Sequence, residues 1–139
     1  MSATHVLVVD DEPLICWSLQ EALSEDGFVV TVAGDGEAAM RELARAPHRP
    51  DVVLLDYLLP DSNGLSLCKT ITDRVRPGRV ILMTAYGTPE VRRGALELGA
   101  YDVVIKPFDV KDIAAIIRRA HTSSASQSLP ESRQSAPQD

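Results

Sequence analysis

Three acidic residues follow an apolar run near the start of the chain. The stretch LVVDDEPLI covers residues 7–15, and its first apolar residues are followed by Asp10, Asp11 and Glu12. Adjacent carboxylates repel one another, most strongly where a strand end is partly buried. A divalent cation removes that repulsion, and Mg²⁺ prefers oxygen ligands. The stretch therefore indicates half of a cation site that needs a further ligand from elsewhere in the chain.

Three other reactive side chains also stand at the ends of apolar runs. Asp56 follows DVVLL, Thr84 follows RVILM, and Lys106 follows DVVI. A carboxylate can act as the nucleophile of phosphoryl transfer and become an acyl phosphate, and a hydroxyl and an ammonium can hold phosphoryl oxygens. Singly, these residues also fit a turn, a strand-end hydroxyl and a solvated lysine, and Asp10 or Asp11 fits a helix cap. Their repetition at four strand ends favours one shared site.

Short strand-like runs alternate with helical patterns along the chain. Most of the runs are continuously apolar, which is typical of a parallel sheet covered on both faces. The predicted strands are His5–Val9, Phe28–Ala33, Asp51–Leu55, Arg79–Met83 and Asp102–Ile105. The helices between them are predicted at 12–26, from Asp35 to about 46, from 65 to about 75, from Thr88-Pro89 to Gly99, and from Asp109 onward.

This (βα)5 order predicts an α/β, flavodoxin-like, doubly wound fold. We expect a five-stranded parallel sheet in the order 2-1-3-4-5, with helices on both faces. Ligands of such sheets bind beyond the carboxyl ends of the strands. The fold would therefore bring the strand-end aspartates, Thr84 and Lys106 together.

The composition limits the function classes. The 139 residues are 45% hydrophobic and carry a net charge of −6, which suits one domain and argues against direct nucleic-acid binding through a basic surface. No apolar run approaches the roughly 20 residues of a membrane span. The first residues lack the features of a signal peptide, so a cytoplasmic location is predicted. Cys16 and Cys68 lie in helical patterns and are expected to be buried thiols rather than a disulfide or metal pair.

The composition changes after His121. We predict one folded domain over residues 1–121. Residues 122–139 are rich in Ser, Pro and Gln and nearly free of apolar side chains, so they are expected to form a disordered tail or the start of a linker.

Four sequence motifs resemble, in order, those of the receiver domain of two-component response regulators. They are LVVDDEP, DVVLLDYLLPDSNGL, VILMTAYG and GAYDVVIKPFD, and the resemblance covers about residues 5–121. LICWSLQEAL and GAYDVVIKPFD further resemble receivers of the nitrogen-regulation activator type. The resemblance implies a bacterial phosphorelay protein that catalyses its own phosphorylation and dephosphorylation but serves in signalling rather than as a conventional turnover enzyme.

The resemblance also implies roles for individual residues. Asp56 would accept the phosphoryl group. Asp10, Asp11, Asp56 and the backbone carbonyl of Leu58 would bind Mg²⁺.

Further roles concern the phosphoryl group and the partners. Thr84 and Lys106 would hold the phosphoryl oxygens, and the Lys106–Pro107 peptide bond would be cis. A sensor histidine kinase or a phosphotransfer protein would be the donor. Phosphorylation would change a surface formed by the fourth helix, fifth strand and fifth helix, through which a homodimer could form.

One position departs from the family pattern. Receivers usually carry Tyr or Phe three residues before the lysine, where this chain has Val103. By strand alternation Tyr101 is predicted on the same face as Val103. We hypothesise that Thr84 still moves on phosphorylation, and that signalling relies on backbone shifts after the fourth strand or on Tyr86.

Three other functions are alternatives to a phosphorylated receiver. A haloacid-dehalogenase-type phosphatase needs a second Asp two residues after its nucleophile, where this chain has Leu58. A flavodoxin-like cofactor binder needs a phosphate loop after strand one, where three acids would repel a phosphate. A receiver-like interaction module that works without phosphorylation is the strongest alternative, although such modules usually lose an acid, the acceptor or the lysine.

Overall fold

Five strands alternate with five helices in the computed structural model, which describes residues 3–45, 49–62 and 64–126. The strands are β1 His5–Val9, β2 Val29–Ala33, β3 Val52–Asp56, β4 Arg79–Thr84 and β5 Asp102–Ile105. The helices are α1 Pro13–Glu25, α2 Gly36–Arg45, α3 Gly64–Val75, α4 Pro89–Glu97 and α5 Val110–Ser126. Within these residues, none of the helices has the length and apolar character to cross a membrane.

The strands form one parallel sheet in the order β2-β1-β3-β4-β5, which confirms the predicted topology. Side chains of one strand alternate between two apolar cores. Val6 and Val8 of β1 pack in the core beneath α1 and α5, while Leu7 and Val9 pack beneath α2, α3 and α4. Both faces of the sheet are therefore covered, which explains why the strands are continuously apolar.

Local capping signals set several helix ends. The Thr88 hydroxyl accepts a hydrogen bond from the backbone N–H of Val91 at 3.2 Å, and Pro89 follows as the first helical residue. Asp35 accepts from the N–H of Ala38 at 2.7 Å. Gly99 adopts a φ of +104° after α4, a conformation that other residues rarely adopt.

The last helix is longer than predicted. It continues to Ser126, five residues past the boundary expected at residue 121. No Gly or Pro follows His121 before Pro130, so nothing in the intervening sequence stops the helix. The rest of the predicted tail, residues 127–139, lies outside the described residues.

Tyr101 was predicted on the wrong face of the sheet. Val103 packs in the core beneath α2, α3 and α4, whereas Tyr101 packs against the opposite core. Tyr101 precedes β5, which begins at Asp102, so strand alternation does not extend to it. Its ring instead lies 5.5 Å from the guanidinium carbon of Arg79.

Backbone hydrogen bonds fix the strand ends that carry the reactive residues. The N–H of Asp10 donates to the carbonyl of Ala33 at 3.1 Å, and that of Lys106 donates to the carbonyl of Thr84 at 2.7 Å. The N–H of Tyr57 donates to the carbonyl of Met83 at 2.7 Å. The sheet is therefore ordered up to the edge at which the predicted site lies.

Candidate functional site

Three aspartates meet at the carboxyl edge of the sheet. Carboxylate oxygens of Asp10, Asp11 and Asp56 all lie within 4.8 Å of one another. Asp10 and Asp56 are 1% and 5% exposed, whereas Asp11 is exposed. Two of the three charges are therefore held out of water, where their repulsion is strong.

Lys106 places its ammonium among these acids. Its Nζ lies 2.9 Å from Oδ2 of Asp10, 2.9 Å from Oε1 of Glu12 and 3.4 Å from Oδ2 of Asp56. Lys106 Nζ donates a hydrogen bond to Glu12. One ammonium thus faces three carboxylates, which leaves the site with excess negative charge.

Neighbouring charges and burial shift the pKa values of Asp56 and Lys106. Burial, and then the neighbouring Asp10 charge, raise the pKa of Asp56 from 3.8 to about 6. Burial alone would lower the pKa of Lys106, but its hydrogen bond to Glu12 and its ion pair with Asp10 outweigh burial and raise it. At neutral pH Asp56 is therefore mostly ionised, and Lys106 carries its charge.

Thr84 stands at the end of β4 beside these groups and is 1% exposed. Its Oγ1 accepts a hydrogen bond from the N–H of Tyr86 at 2.8 Å. This bond fixes the oxygen and leaves the hydroxyl hydrogen available to donate. Leu58 has an exposed side chain, and its N–H donates to Oδ1 of Asp56 at 3.3 Å.

The donor set fits a hard divalent cation. Oδ2 of Asp10 is fully buried, yet it accepts no hydrogen bond of good geometry from the described residues. Such a buried oxygen needs a positive partner, and the Lys106 ammonium at 2.9 Å supplies only one charge among three acids. The carboxylates of Asp10, Asp11 and Asp56 would hold Mg²⁺, whose preferred ligands are oxygens.

A cleft of about 770 Å³ opens beside the acids. Its walls include the site residues Asp11, Glu12, Asp56, Thr84 and Lys106. Apolar side chains form most of the rest, among them Leu14, Ile15, Leu58, Phe108 and Val110. The cleft therefore combines a charged end with an apolar wall.

The two cysteines take no part in this chemistry. Both are free and buried, as predicted. Burial and then the charge of Asp10 raise the pKa of the Cys16 thiol to about 11, and burial also raises the pKa of Cys68. Both thiols are therefore protonated at neutral pH and poorly nucleophilic.

The structure brings together all the side chains that the sequence placed at the site. The Lys106–Pro107 peptide bond is cis, as predicted. The contact between Glu12 and Lys106 was not predicted from the sequence. The spacing of Glu12 from Asp10 was the available signal, but nothing in the sequence indicated that the lysine 94 residues away would reach it.

Comparison with known proteins identifies the class of this fold and site. The family model of the response regulator receiver domain matches residues 6–118. The chain belongs to the response regulator receiver domain family, whose members act in two-component systems.

Individual relatives agree with this assignment. The chain is 41% identical over 138 residues to the transcriptional regulatory protein CseB of Streptomyces avermitilis, covering 96% of this chain and 57% of that protein. It is 35% identical over 130 residues to the DNA-binding transcriptional regulator NtrC of Proteus hauseri, covering 94% of this chain and 27% of that protein. The chain thus spans little more than half of one relative and about a quarter of the other. NtrC is thus among the relatives, alongside CseB, to which the identity is higher.

A solved structure supports the same assignment. The BeF3-activated DrrB receiver domain is 32% identical to this chain, with a TM-score of 0.75. The match covers 85% of this chain and 97% of that one. The similarity therefore extends over nearly the whole of an isolated receiver domain.

Proposed function

We propose that this domain accepts a phosphoryl group on Asp56 from a phosphohistidine of a sensor histidine kinase or phosphotransfer protein, in a Mg²⁺-dependent reaction. The observation that carries the proposal is the meeting of Asp56 with Asp10, Asp11 and Lys106 at one sheet edge. This transfer requires a nucleophile, ligands for a divalent cation, and a positively charged side chain near the phosphoryl oxygens.

The proposed transfer uses the side chains that meet at this sheet edge. A carboxylate oxygen of Asp56 attacks phosphorus, the P–N bond to the imidazole breaks, and the imidazole nitrogen leaves with the bonding pair and takes up a proton. The Lys106 ammonium and the Thr84 hydroxyl hydrogen hold the phosphoryl oxygens. Asp10, Asp11, Asp56 and the backbone carbonyl of Leu58 would hold Mg²⁺, which would neutralise negative charge during the transfer.

Water then hydrolyses the acyl phosphate. Its oxygen attacks phosphorus, the bond between phosphorus and the Asp56 oxygen breaks, and the carboxylate and inorganic phosphate are released. Asp56 is thereby restored without an external reductant or oxidant. The domain catalyses both steps on itself, and the lifetime of the acyl phosphate sets the duration of the signal.

The apolar wall of the cleft supports a protein donor. Leu14 is 73% exposed beside the charged end of the cleft, and Ile15, Phe108 and Val110 extend the wall. Apolar side chains of a partner could pack here while its phosphohistidine reaches Asp56.

Phosphorylation would be transmitted through α4, β5 and α5. Arg92 of α4 forms an ion pair with Asp102 of β5 at 3.1 Å, so the two elements are linked. Ile105 of β5 is 47% exposed beside the loop that follows Thr84. This surface is the proposed site of homodimer formation and of contact with an output region. An output region is favoured because the relatives are named as transcriptional regulators.

Incubation with acetyl phosphate and Mg²⁺, followed by intact-mass spectrometry, tests the proposal. We expect the mass of one phosphoryl group to be gained, and Asp56→Asn to abolish the gain. Asp112→Asn, which changes an exposed aspartate of α5, is the matched control and should leave the gain unchanged. A wild-type protein that gains no mass would favour the phosphorylation-independent interaction module.

A further inference from the structure

Glu12 forms an ion pair across the mouth of the site that the reaction described above does not use. Its Oε1 accepts a hydrogen bond from Nζ of Lys106 at 2.9 Å. The Glu12 side chain is 57% exposed, whereas that of Lys106 is 13% exposed. The lysine therefore has a buried stem, and its charged end lies between the buried Asp10 carboxylate, also at 2.9 Å, and an acid that reaches in from solvent.

Glu12 does not serve as the side-chain cap of α1. It occupies the position before the first helical residue, yet its side chain forms no capping hydrogen bond. Its backbone N–H donates instead to Oδ1 of Asp10 at 2.9 Å. The carboxylate is thus free of the helix and is directed to Lys106.

The Lys106 ammonium contacts the same carboxylates that would bind a cation. Its Nζ lies 2.9 Å from Oδ2 of Asp10 and 3.4 Å from Oδ2 of Asp56. An ammonium and a divalent cation repel each other at these distances. Anything that moves the ammonium away from these two oxygens therefore favours cation binding.

We propose that Glu12 is a positioning residue that shares the Lys106 ammonium with Asp10 and Asp56 and so eases displacement of the ammonium from their oxygens by a divalent cation. The inference rests on the magnesium site of the proposed function. Without the Glu12 carboxylate, the remaining acidic partners of Lys106 among the described residues are Asp10 and Asp56. The ammonium would then be held by these two carboxylates alone and would compete more strongly with the cation.

The expected effect is modest because Glu12 is half exposed. Ion pairs of this kind contribute little, so Glu12→Gln should raise the Kd for Mg²⁺ by about two- to fivefold. Lys106→Met should lower the Kd, because it removes the competing charge while keeping an unbranched side chain in the cleft.

A double-mutant cycle separates this role from simple charge attraction. Mg²⁺ affinity is measured by titration calorimetry for the wild type, Glu12→Gln, Lys106→Met and the double variant. Glu21→Gln, which changes an exposed glutamate of α1, is the control for loss of one negative charge. If Glu12 acts through Lys106, Glu12→Gln in the Lys106→Met background should raise the Kd for Mg²⁺ no more than Glu21→Gln does. An equal fold-change in both backgrounds would overturn the inference, since Glu12 would then act on the cation directly. An unchanged Kd in Glu12→Gln alone would overturn it as well.

The outcome also distinguishes failure of this inference from failure of the proposed function. A wild-type protein that binds no Mg²⁺ would remove the metal site and the inference together. If the wild type binds Mg²⁺ and Asp11→Ala abolishes binding, while Glu12→Gln changes nothing, only the role of Glu12 is lost.

Discussion

Replacing Asp56 with asparagine is expected to stabilise the metal-free protein at neutral pH. The Asp56 side chain is buried, and burial and the charge of Asp10 raise its pKa from 3.8 to about 6. A difference of this size corresponds to about 3 kcal/mol between the protonated and ionised forms. Asparagine carries no charge and can keep the hydrogen bond from the N–H of Leu58 to Oδ1.

The sign of this effect follows from proton binding. The folded pKa of Asp56 lies above its unfolded value, so the native state holds the proton more tightly than the unfolded state. The contribution of Asp56 to the stability of the wild type therefore falls as the pH rises from about 3.8 through about 6. Asp56→Asn has no charge to bury and does not lose stability in this way. Its free energy of unfolding should exceed that of the wild type by about 3 kcal/mol at pH 8 and by about 1.5 kcal/mol at pH 5.

Urea unfolding in the presence of EDTA measures the free energy of unfolding at both pH values. Asp112→Asn, at an exposed position, should differ little from the wild type at either pH. The reasoning would be refuted if the advantage of Asp56→Asn were the same at pH 5 and pH 8, or if the wild type were the more stable protein at pH 8.

Three further predictions follow from the site. Mg²⁺ at about 100 times its Kd should raise the free energy of unfolding of the wild type by about 2.7 kcal/mol. An equal rise in Asp11→Ala would show that Asp11 is not a ligand of the cation. Thr84→Val should slow phosphorylation by acetyl phosphate about tenfold or more, because a hydrogen bond to a charged group is lost. Thr84→Ser should restore the rate. An unchanged rate in Thr84→Val would show that the Thr84 hydroxyl takes no part in the transfer. Val103→Tyr should lower stability by about 1–3 kcal/mol, because position 103 is buried. It should also enlarge the change in hydrogen exchange of α4 and β5 on phosphorylation, and no enlargement would show that the missing aromatic is irrelevant.

The fold could be predicted because local signals and the global topology agree. Apolar runs such as DVVLL mark strands covered on both faces, and caps such as Asp35 and Thr88 mark the helix starts. Alternating strands and helices leave few topologies open. Once the order is set, the strand ends meet at one edge, so the positions of Asp56 and Lys106 follow from the fold.

Contacts that depend on side-chain reach could not be predicted. Two strands separate β1 from β5 in the sheet, and neighbouring strands are about 4.8 Å apart. Whether Lys106 reaches only Asp56 or extends to Asp10 and Glu12 depends on loop geometry, which the sequence pattern does not encode. Tyr101 was misplaced for a related reason, since alternation holds only within a strand and β5 begins one residue later.

The central claim is that Asp56 carries the phosphoryl group, and locating that group tests it most directly. After incubation with acetyl phosphate and Mg²⁺, borohydride reduces an acyl phosphate of aspartate to homoserine, which peptide mass spectrometry then locates. The proposed mechanism predicts homoserine at position 56 and at no other aspartate, with none formed when EDTA replaces Mg²⁺. Homoserine at another position, or none at position 56 in protein that has gained a phosphoryl group, would contradict it.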